Sequence, residues 1–111
     1  MSKNLTTTSS LHFFSRMETL RQDILLAAKD RLKAALSAAG LGTTLAIDGN
    51  PLTARGRRYD RIALRGGTIV LEAGDDAVCS EHFLDMAEAY DLLRTIEEAT
   101  RSLSVDKTAK I

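Results

Sequence analysis

Residues 59–73 read YDRIALRGGTIVLEA, and the predicted fold is built around this stretch. The pair Gly66-Gly67 suits a two-residue type I′ turn, because both turn positions need a positive φ. The register set by that turn places four apolar side chains on one face of the ladder: Ile62, Leu64, Ile69 and Leu71. It also sets Arg61 opposite Glu72, and an opposite-charge pair favours the register. The stretch therefore predicts an antiparallel hairpin with one apolar face.

One more strand is predicted before the hairpin, over residues 43–47, where Leu45 and Ile47 share a face. The chain is then expected to turn at residues 48–51 and to continue as an exposed loop over residues 52–58. The predicted sheet is thus a three-stranded antiparallel meander.

Two long amphipathic helices are predicted on either side of the strands. Ser15 and Glu18 have the spacing of a capping box, so the first helix is expected over residues 16–39. Ser80 is the expected N-cap of a second helix over residues 80–103. The apolar stripes comprise Met17, Leu20, Ile24, Ala28, Leu32, Ala35 and Ala39 in the first helix and Phe83, Met86, Tyr90, Leu93, Ile96 and Leu103 in the second. The prediction is an α+β fold of order α-β-β-β-α, with the meander covered on one face by both helices.

The chain is expected to form one domain, because it has 111 residues. We predict a flexible polar N-terminal segment over residues 1–14, a single α+β domain over 15–103 and a flexible tail over 104–111. A single cysteine fits a reducing compartment, and no apolar run approaches the ~18 residues that span a membrane. We therefore expect a cytoplasmic protein of bacterial or phage type that does not enter a membrane.

The predicted helices are much longer than the predicted strands. A strand of six residues spans ~20 Å, whereas helices of these lengths run about 36 and 35 Å. The apolar stripes continue past the sheet, so another surface must cover them. Either the two helices cover each other, or a homodimer forms a layer of four helices, and we favour the homodimer.

The net charge of the chain is zero, but opposite charges are concentrated in different segments. Residues 48–65 contain five arginines and two aspartates, a local charge of +3, while residues 81–103 carry six acids and two arginines, a local charge of −4. Neutrality argues against indiscriminate coating of DNA, but sorted charge favours steering toward a charged partner. The acidic side of a predicted protein interface comprises Glu81, Asp85, Glu88 and Asp91.

Apolar side chains outside the predicted helix stripes extend the predicted interface. Leu26 falls on the polar face of the first helix, and Phe13 and Phe14 precede its expected start. Aromatic side chains in such positions either fold over the helix end or serve as anchors for a partner protein, where they contribute much of the affinity.

The arginine cluster suggests a different partner. Strand alternation would place Arg57, Tyr59, Arg61 and Arg65 on one outward face, where the arginines could bind phosphates and the tyrosine could stack on a base. The candidate contacts to nucleic acid or phosphate are Arg55, Arg57, Arg58, Tyr59, Arg61 and Arg65. The alternative is a solvated sheet face on which Arg61 pairs with Glu72.

Cys79, His82 and Asp85 contain the only metal-like spacing in the sequence. Zinc needs about four ligands, and no second pair of ligands accompanies these three. Cys79 lies just before a predicted helix, where a thiol pKa is lowered, but no third residue is available to orient a catalytic base. We predict no catalytic residue, no metal site and no cofactor.

These observations favour a small non-catalytic protein–protein interaction module that acts as a homodimer. An adaptor, or a stoichiometric inhibitor of a larger complex, has this size and character. Such small proteins are typical of phages and mobile elements. The alternative is a nucleic-acid-associated protein that uses the arginine and tyrosine sheet face.

Overall fold

The computed structural model describes the backbone of residues 2–47, 52–74 and 76–110, and the side chains of residues 12–47, 52–74, 76–101 and 103. The elements in chain order are α1 (Ser2–Ala39), β1 (Thr44–Ala46), β2 (Leu52–Ala54), β3 (Arg57–Tyr59), β4 (Arg61–Arg65), β5 (Thr68–Glu72), β6 (Val78–Ser80), a 3₁₀ turn (Glu81–Phe83) and α2 (Met86–Lys110). Two helices packed on a small antiparallel sheet make this an α+β protein, as the sequence predicts. The described residues form six strands, however, where three were expected.

The main sheet has four antiparallel strands in the order β1-β4-β5-β6. The predicted β4–β5 hairpin is confirmed at each of its pairs, from Arg65 opposite Thr68 to Arg61 opposite Glu72. Its turn residues have φ values of 60° and 79°, which glycine adopts without strain. The predicted strand around Leu45 is confirmed as β1, which pairs with β4.

The core lies between the sheet and the two helices. Fully buried sheet residues, among them Ile62, Ile69 and Leu71, belong to one cluster with Leu32 of α1 and Ile96 of α2. The helices run side by side in the same direction, because Arg21 of α1 contacts Leu84 just before α2, while Arg31 pairs with Glu97 further along it.

The exposed loop predicted over residues 52–58 is wrong. This stretch forms a second, two-stranded sheet in which Leu52 pairs with Tyr59 and Ala54 with Arg57. Leu52, Ala54 and Tyr59 are buried in the core cluster. Their alternation with polar residues is too short to distinguish a strand from a loop by sequence. The turn predicted at residues 48–51 lies outside the described residues.

Helix α1 begins at Ser2, much earlier than the predicted start at residue 16. Ser15 does not cap the helix: its carbonyl accepts a bond from the Thr19 hydroxyl, as in a helix interior. Glu18 does not reach back to Ser15 but accepts bonds from Arg21 and Gln22. The flexibility predicted for residues 1–14 and 104–111, and the single domain over 15–103, stay predictions.

Helix α2 begins at Met86, later than the predicted residue 80. Ser80 instead caps the 3₁₀ turn, where its hydroxyl accepts a bond from the His82 amide at 3.4 Å. The cap of α2 is a reciprocal box, in which Asp85 accepts from the Glu88 amide at 2.8 Å and Glu88 accepts from the Asp85 amide at 2.9 Å.

The apolar stripe predicted for α2 is confirmed in part, because Ile96 is fully buried and Leu93 and Leu103 pack against the core. Phe83 and Tyr90 are exposed, whereas Ala89, Leu92 and Thr95 are buried. Helices α1 and α2 make the most extensive contact between elements in the described structure. In α1 the predicted stripe is confirmed from Ala28 to Ala35, but Leu20 is exposed.

Candidate protein-interaction surface

The face of α1 that packs on the core continues beyond the buried part of the helix. Residues seven apart lie on nearly the same side of a helix, and Ala28, Arg21 and Phe14 follow that spacing. Ala28 is fully buried, Arg21 is half-buried, and Phe14 is 68% exposed. The core-facing side of α1 therefore carries an uncovered aromatic side chain beyond the buried part of the helix.

Arg21 joins α1 to the segment between β6 and α2. Its Nη1 donates to the carbonyl oxygen of Leu84 at 3.2 Å and to that of Glu81 at 3.5 Å. Its Nη2 and Nε hold the Glu18 carboxylate at 2.7 and 3.1 Å. One guanidinium thus occupies carbonyls at the end of the 3₁₀ turn and fixes the turn, with Phe83, against α1.

A groove of about 530 Å³ lies between the exposed part of α1 and the 3₁₀ turn; we call it the α1 groove. Its apolar lining includes Phe14, Met17, Phe83 and Met86, and Arg55 lies at its border. Phe83 is 61% exposed, so two uncovered aromatic rings line the same depression.

A second groove, the β6 groove, of about 460 Å³, lies between β6 and the turn of the β2–β3 hairpin. Its lining residues are Arg55, Arg57, Tyr59, Ala77, Val78, Cys79, Ser80 and Phe83. Arg55 and Phe83 line both grooves, so the two form one continuous surface.

The hairpin turn at Arg55 and Gly56 is held by α2. Arg55 has a φ of 54°, in the left-handed region that costs a side-chain-bearing residue about 1 kcal/mol. Its amide donates to Glu88 Oε2 at 2.7 Å. The same carboxylate that caps α2 therefore also fixes the hairpin that borders both grooves.

Cys79 forms part of the floor of the β6 groove. Burial raises the pKa of the Cys79 thiol and the negative charge of Glu88 raises it further, against the opposing effects of Arg55 and the Tyr59 hydroxyl. This environment favours the thiol over the reactive thiolate. His82 and Asp85, the other residues of the metal-like spacing, are exposed.

Glu81 lies inside the fold, not on the predicted acidic interface. It is 3% exposed, and its Oε1 lies 2.8 Å from Lys29 Nζ. Its Oε2 has no hydrogen-bond partner among the described residues. The Glu81 side chain therefore joins the 3₁₀ turn to α1.

The other acids of the predicted interface are exposed to different degrees. Asp85 and Glu88 are engaged in the α2 cap, and Asp91 pairs with Arg94 at 3.4 Å. The structure does not join them into one open acidic face, because capping and pairing occupy their carboxylates.

The apolar residues of the predicted interface divide into two locations. Phe13 and Phe14 are exposed and contact each other edge to face, with ring centroids 6.0 Å apart. Leu26 is also exposed, but it lies on the side of α1 away from the core, so it does not join them. The sequence predicts that Phe83 lies in the core. Its observed proximity to Phe14 depends on the position of the 3₁₀ turn, which Arg21 holds against α1.

The predicted arginine and tyrosine face is not a single surface. Tyr59 is 2% exposed, and it belongs to the small sheet instead of the strand that contains Arg61 and Arg65. Glu72 pairs with both of those arginines, with Arg65 at 2.6 Å and with Arg61 at 3.6 Å. Arg57 and Arg58 of β3 are exposed.

Within residues 2–47, 52–74 and 76–110, neither helix carries an apolar stretch long enough to cross a membrane. No three His, Cys, Asp or Glu side chains in that part of the chain cluster as metal ligands would. Protein-family models, curated protein sequences and solved structures yield no match to this chain.

Proposed function

We propose that the protein is a non-catalytic protein–protein interaction module of the cytoplasm, an adaptor or a stoichiometric inhibitor of a larger complex. The α1 groove is the observation that carries this proposal. Phe14 and Phe83 expose most of their rings there, beside Met17 and Met86. Uncovered aromatic and methionine side chains around a depression are typical of protein-binding surfaces, because their burial supplies most of the affinity.

We further propose that the module acts as a homodimer through the exposed part of α1. A helix of 38 residues extends about 57 Å, whereas the five-residue strands β4 and β5 extend about 17 Å. Phe13 and Leu20 are seven residues apart on one flank of that helix, and both are exposed. Pairing two copies along this flank would remove both side chains from water.

Affinity purification from the native host, with nuclease treatment, tests the proposed partner. The wild type is compared with the double variant Phe14→Ser/Phe83→Ser and with Tyr90→Ser, which removes an equally exposed aromatic ring outside both grooves. We expect one protein to be recovered with the wild type and Tyr90→Ser but lost with the double variant. Recovery that is equal in all three samples would overturn the proposal.

The molar mass in solution, measured by light scattering, tests the homodimer. We expect about twice the chain mass of 12.1 kDa for the wild type and the single-chain mass for Phe13→Ser/Leu20→Ser. Leu26→Ser is the matched control, since Leu26 is exposed on the opposite side of α1. A single-chain mass for the wild type would exclude the homodimer.

The second candidate function, binding to nucleic acid, is favoured by the exposed arginines Arg57 and Arg58 on β3. Binding through them would weaken steeply with salt, because phosphate contacts release counterions. The test is binding of a single-stranded oligonucleotide at about 50 mM salt. Loss of binding in Arg57→Ala/Arg58→Ala would support this function, and the absence of wild-type binding would exclude it.

A further inference from the structure

We propose that the β6 groove binds an extended peptide segment in which apolar and acidic residues alternate, and that the segment pairs with β6 as an added strand. The proposal rests on the proposed function, because it assigns the kind of partner segment that an interaction module would bind. Backbone geometry at β6, the groove lining and local charge support it.

Strand β6 is an edge of the four-stranded sheet and pairs with β5 alone among the described strands. The Ala73 amide donates to the Ala77 carbonyl at 2.9 Å, so this opposed pair is hydrogen-bonded. Bonded and non-bonded pairs alternate along an antiparallel ladder. Val78 and Ser80, which oppose Glu72 and Val70 in the register, are therefore non-bonded positions.

The backbone groups of Val78 and Ser80 consequently point away from β5, toward the open edge. The Ser80 carbonyl accepts a weak bond from the Cys79 thiol at 3.7 Å, which leaves one of its two lone pairs available. All four residues from Ala77 to Ser80 line the β6 groove, so this edge opens into the groove. A strand placed there would find the donors and acceptors that strand addition requires.

The lining of the groove accommodates a strand with two different faces. Tyr59 and Cys79 are buried and form its floor, while Val78 and Phe83 are exposed along one side. Successive side chains of a strand point in opposite directions. Alternate residues of the bound segment would therefore contact the apolar side, where small or branched apolar side chains fit best.

Charge decides which residues should occupy the remaining positions. Arg55 and Arg57 line the opposite side of the groove and are exposed. The carboxylate of Glu88, which contacts the Arg55 amide, already accepts bonds from the amides of Arg55 and Asp85. Acidic residues would pair with the two guanidinium groups, whereas basic residues would be repelled.

The test uses the full chain and fluorescent eight-residue peptides, with binding measured by anisotropy. The first peptide alternates valine and glutamate, the second alternates valine and lysine, and the third is the first with alternate amides N-methylated. We expect binding of the first peptide only, because N-methylation removes the strand pairing and lysine reverses the charge. Equal binding of the first and third peptides, or no binding of the first, would overturn the proposal.

Variants of β3 provide a matched pair. Arg57→Glu should weaken binding of the valine–glutamate peptide at least about tenfold, while Arg58→Glu should change it less than about twofold. The two substitutions change the charge equally on neighbouring residues, but Arg58 does not line the groove. Equal losses would show an unspecific charge effect and contradict the proposal.

Val78→Pro tests the backbone contact from the side of the protein. Proline removes the outward amide at an edge position without removing a bond to β5, so we expect a correctly folded variant that no longer binds the peptide. A shift of the wild-type dimer to a single chain in this variant would mean that a second copy occupies the groove, which would overturn the proposal. Peptide binding is measured without the host partner, so its failure leaves the affinity-purification result, and with it the proposed function, standing.

Discussion

The β2–β3 and β4–β5 hairpins have the same turn geometry but depend on different parts of the molecule. Both turn through two consecutive residues of positive φ, Gly66-Gly67 in one and Arg55-Gly56 in the other. The β4–β5 hairpin is the centre of the main sheet and carries its own cross-strand ion pairs. The β2–β3 hairpin has three-residue strands, and its turn is held by Glu88 of α2.

Both hairpins contribute side chains to the core, but they differ in what sets their position. Five paired residues per strand and two glycines make β4–β5 a consistent local structure. The shorter hairpin needs contacts from elsewhere, because an isolated two-stranded ribbon is marginal in water. The grooves therefore depend on a region whose position is set by tertiary contacts.

The largest effect is expected from the core of the main hairpin. Leu71→Ala should lower the free energy of unfolding by about 2–5 kcal/mol, because it opens a cavity at a fully buried position. Thr53→Ala, at the exposed centre of β2, should change it by less than about 0.5 kcal/mol. Urea unfolding measures both, and comparable losses would contradict the place of Leu71 in the core and of Thr53 at the surface.

A smaller effect is expected from Glu88→Ala, which removes the acceptor of two amides, those of Asp85 and Arg55. The free energy of unfolding should fall by about 1–3 kcal/mol. Amide hydrogen exchange should accelerate at Arg55 more than at residues 61–72. Glu98→Ala, an exposed acid of the same helix, is the control. Uniform acceleration in both hairpins would show that Glu88 does not act on β2–β3 in particular.

The two turns should respond oppositely to substitution. Gly67→Ala should destabilise the protein by about 1 kcal/mol, because φ is 79° there. Arg55→Asn should stabilise it by about 0.5 kcal/mol, because asparagine before glycine is favoured in type I′ turns. Thermal unfolding checks both signs. Stabilisation by Gly67→Ala, or destabilisation by Arg55→Asn, would show that the two turns do not share this geometry.

The smallest effect is expected from acid, through the contact of Arg21 with the 3₁₀ turn. Hydrogen bonds from Arg21 and then Gln22 lower the pKa of Glu18 from 4.5 to about 2. The stabilising contribution is complete above about pH 4.5 and is lost as the pH falls toward 2. Glu18→Gln should therefore flatten the decline in stability between these values. A decline equal to that of the wild type would contradict this role of Glu18.

The sequence predicts the β4–β5 register and the central part of the α1 stripe because both are repeated local patterns. It does not reveal the β2–β3 hairpin, since three residues per strand carry little periodicity and Arg55 is unusual at positive φ. The spacing Asp85-x-x-Glu88 was an available signal for the start of α2. Phe83 and Tyr90, which the sequence predicts in the apolar stripe, are exposed, whereas Ile96 of the same stripe is buried.

The candidate surface was only partly predictable for a similar reason. The positions of Phe13 and Phe14 ahead of the expected capping box identified spare aromatic surface. Their proximity to Phe83 is set by Arg21, whose partners are backbone carbonyls that carry no sequence signal. The sequence predicts an outward Tyr59 if the alternation of side chains along β4 continues through residue 60. Tyr59 belongs instead to a different strand, β3.

The bonds from Arg21 to the carbonyls of Glu81 and Leu84 also make the position of the 3₁₀ turn depend on α1. They form only while α1 is helical around residue 21 and the 3₁₀ turn is in place. A ligand that binds more tightly to this arrangement of the two elements would therefore stabilise both of them together. Because Phe83 lines both grooves, a ligand in the α1 groove that holds Phe83 in place would also fix part of the lining of the β6 groove.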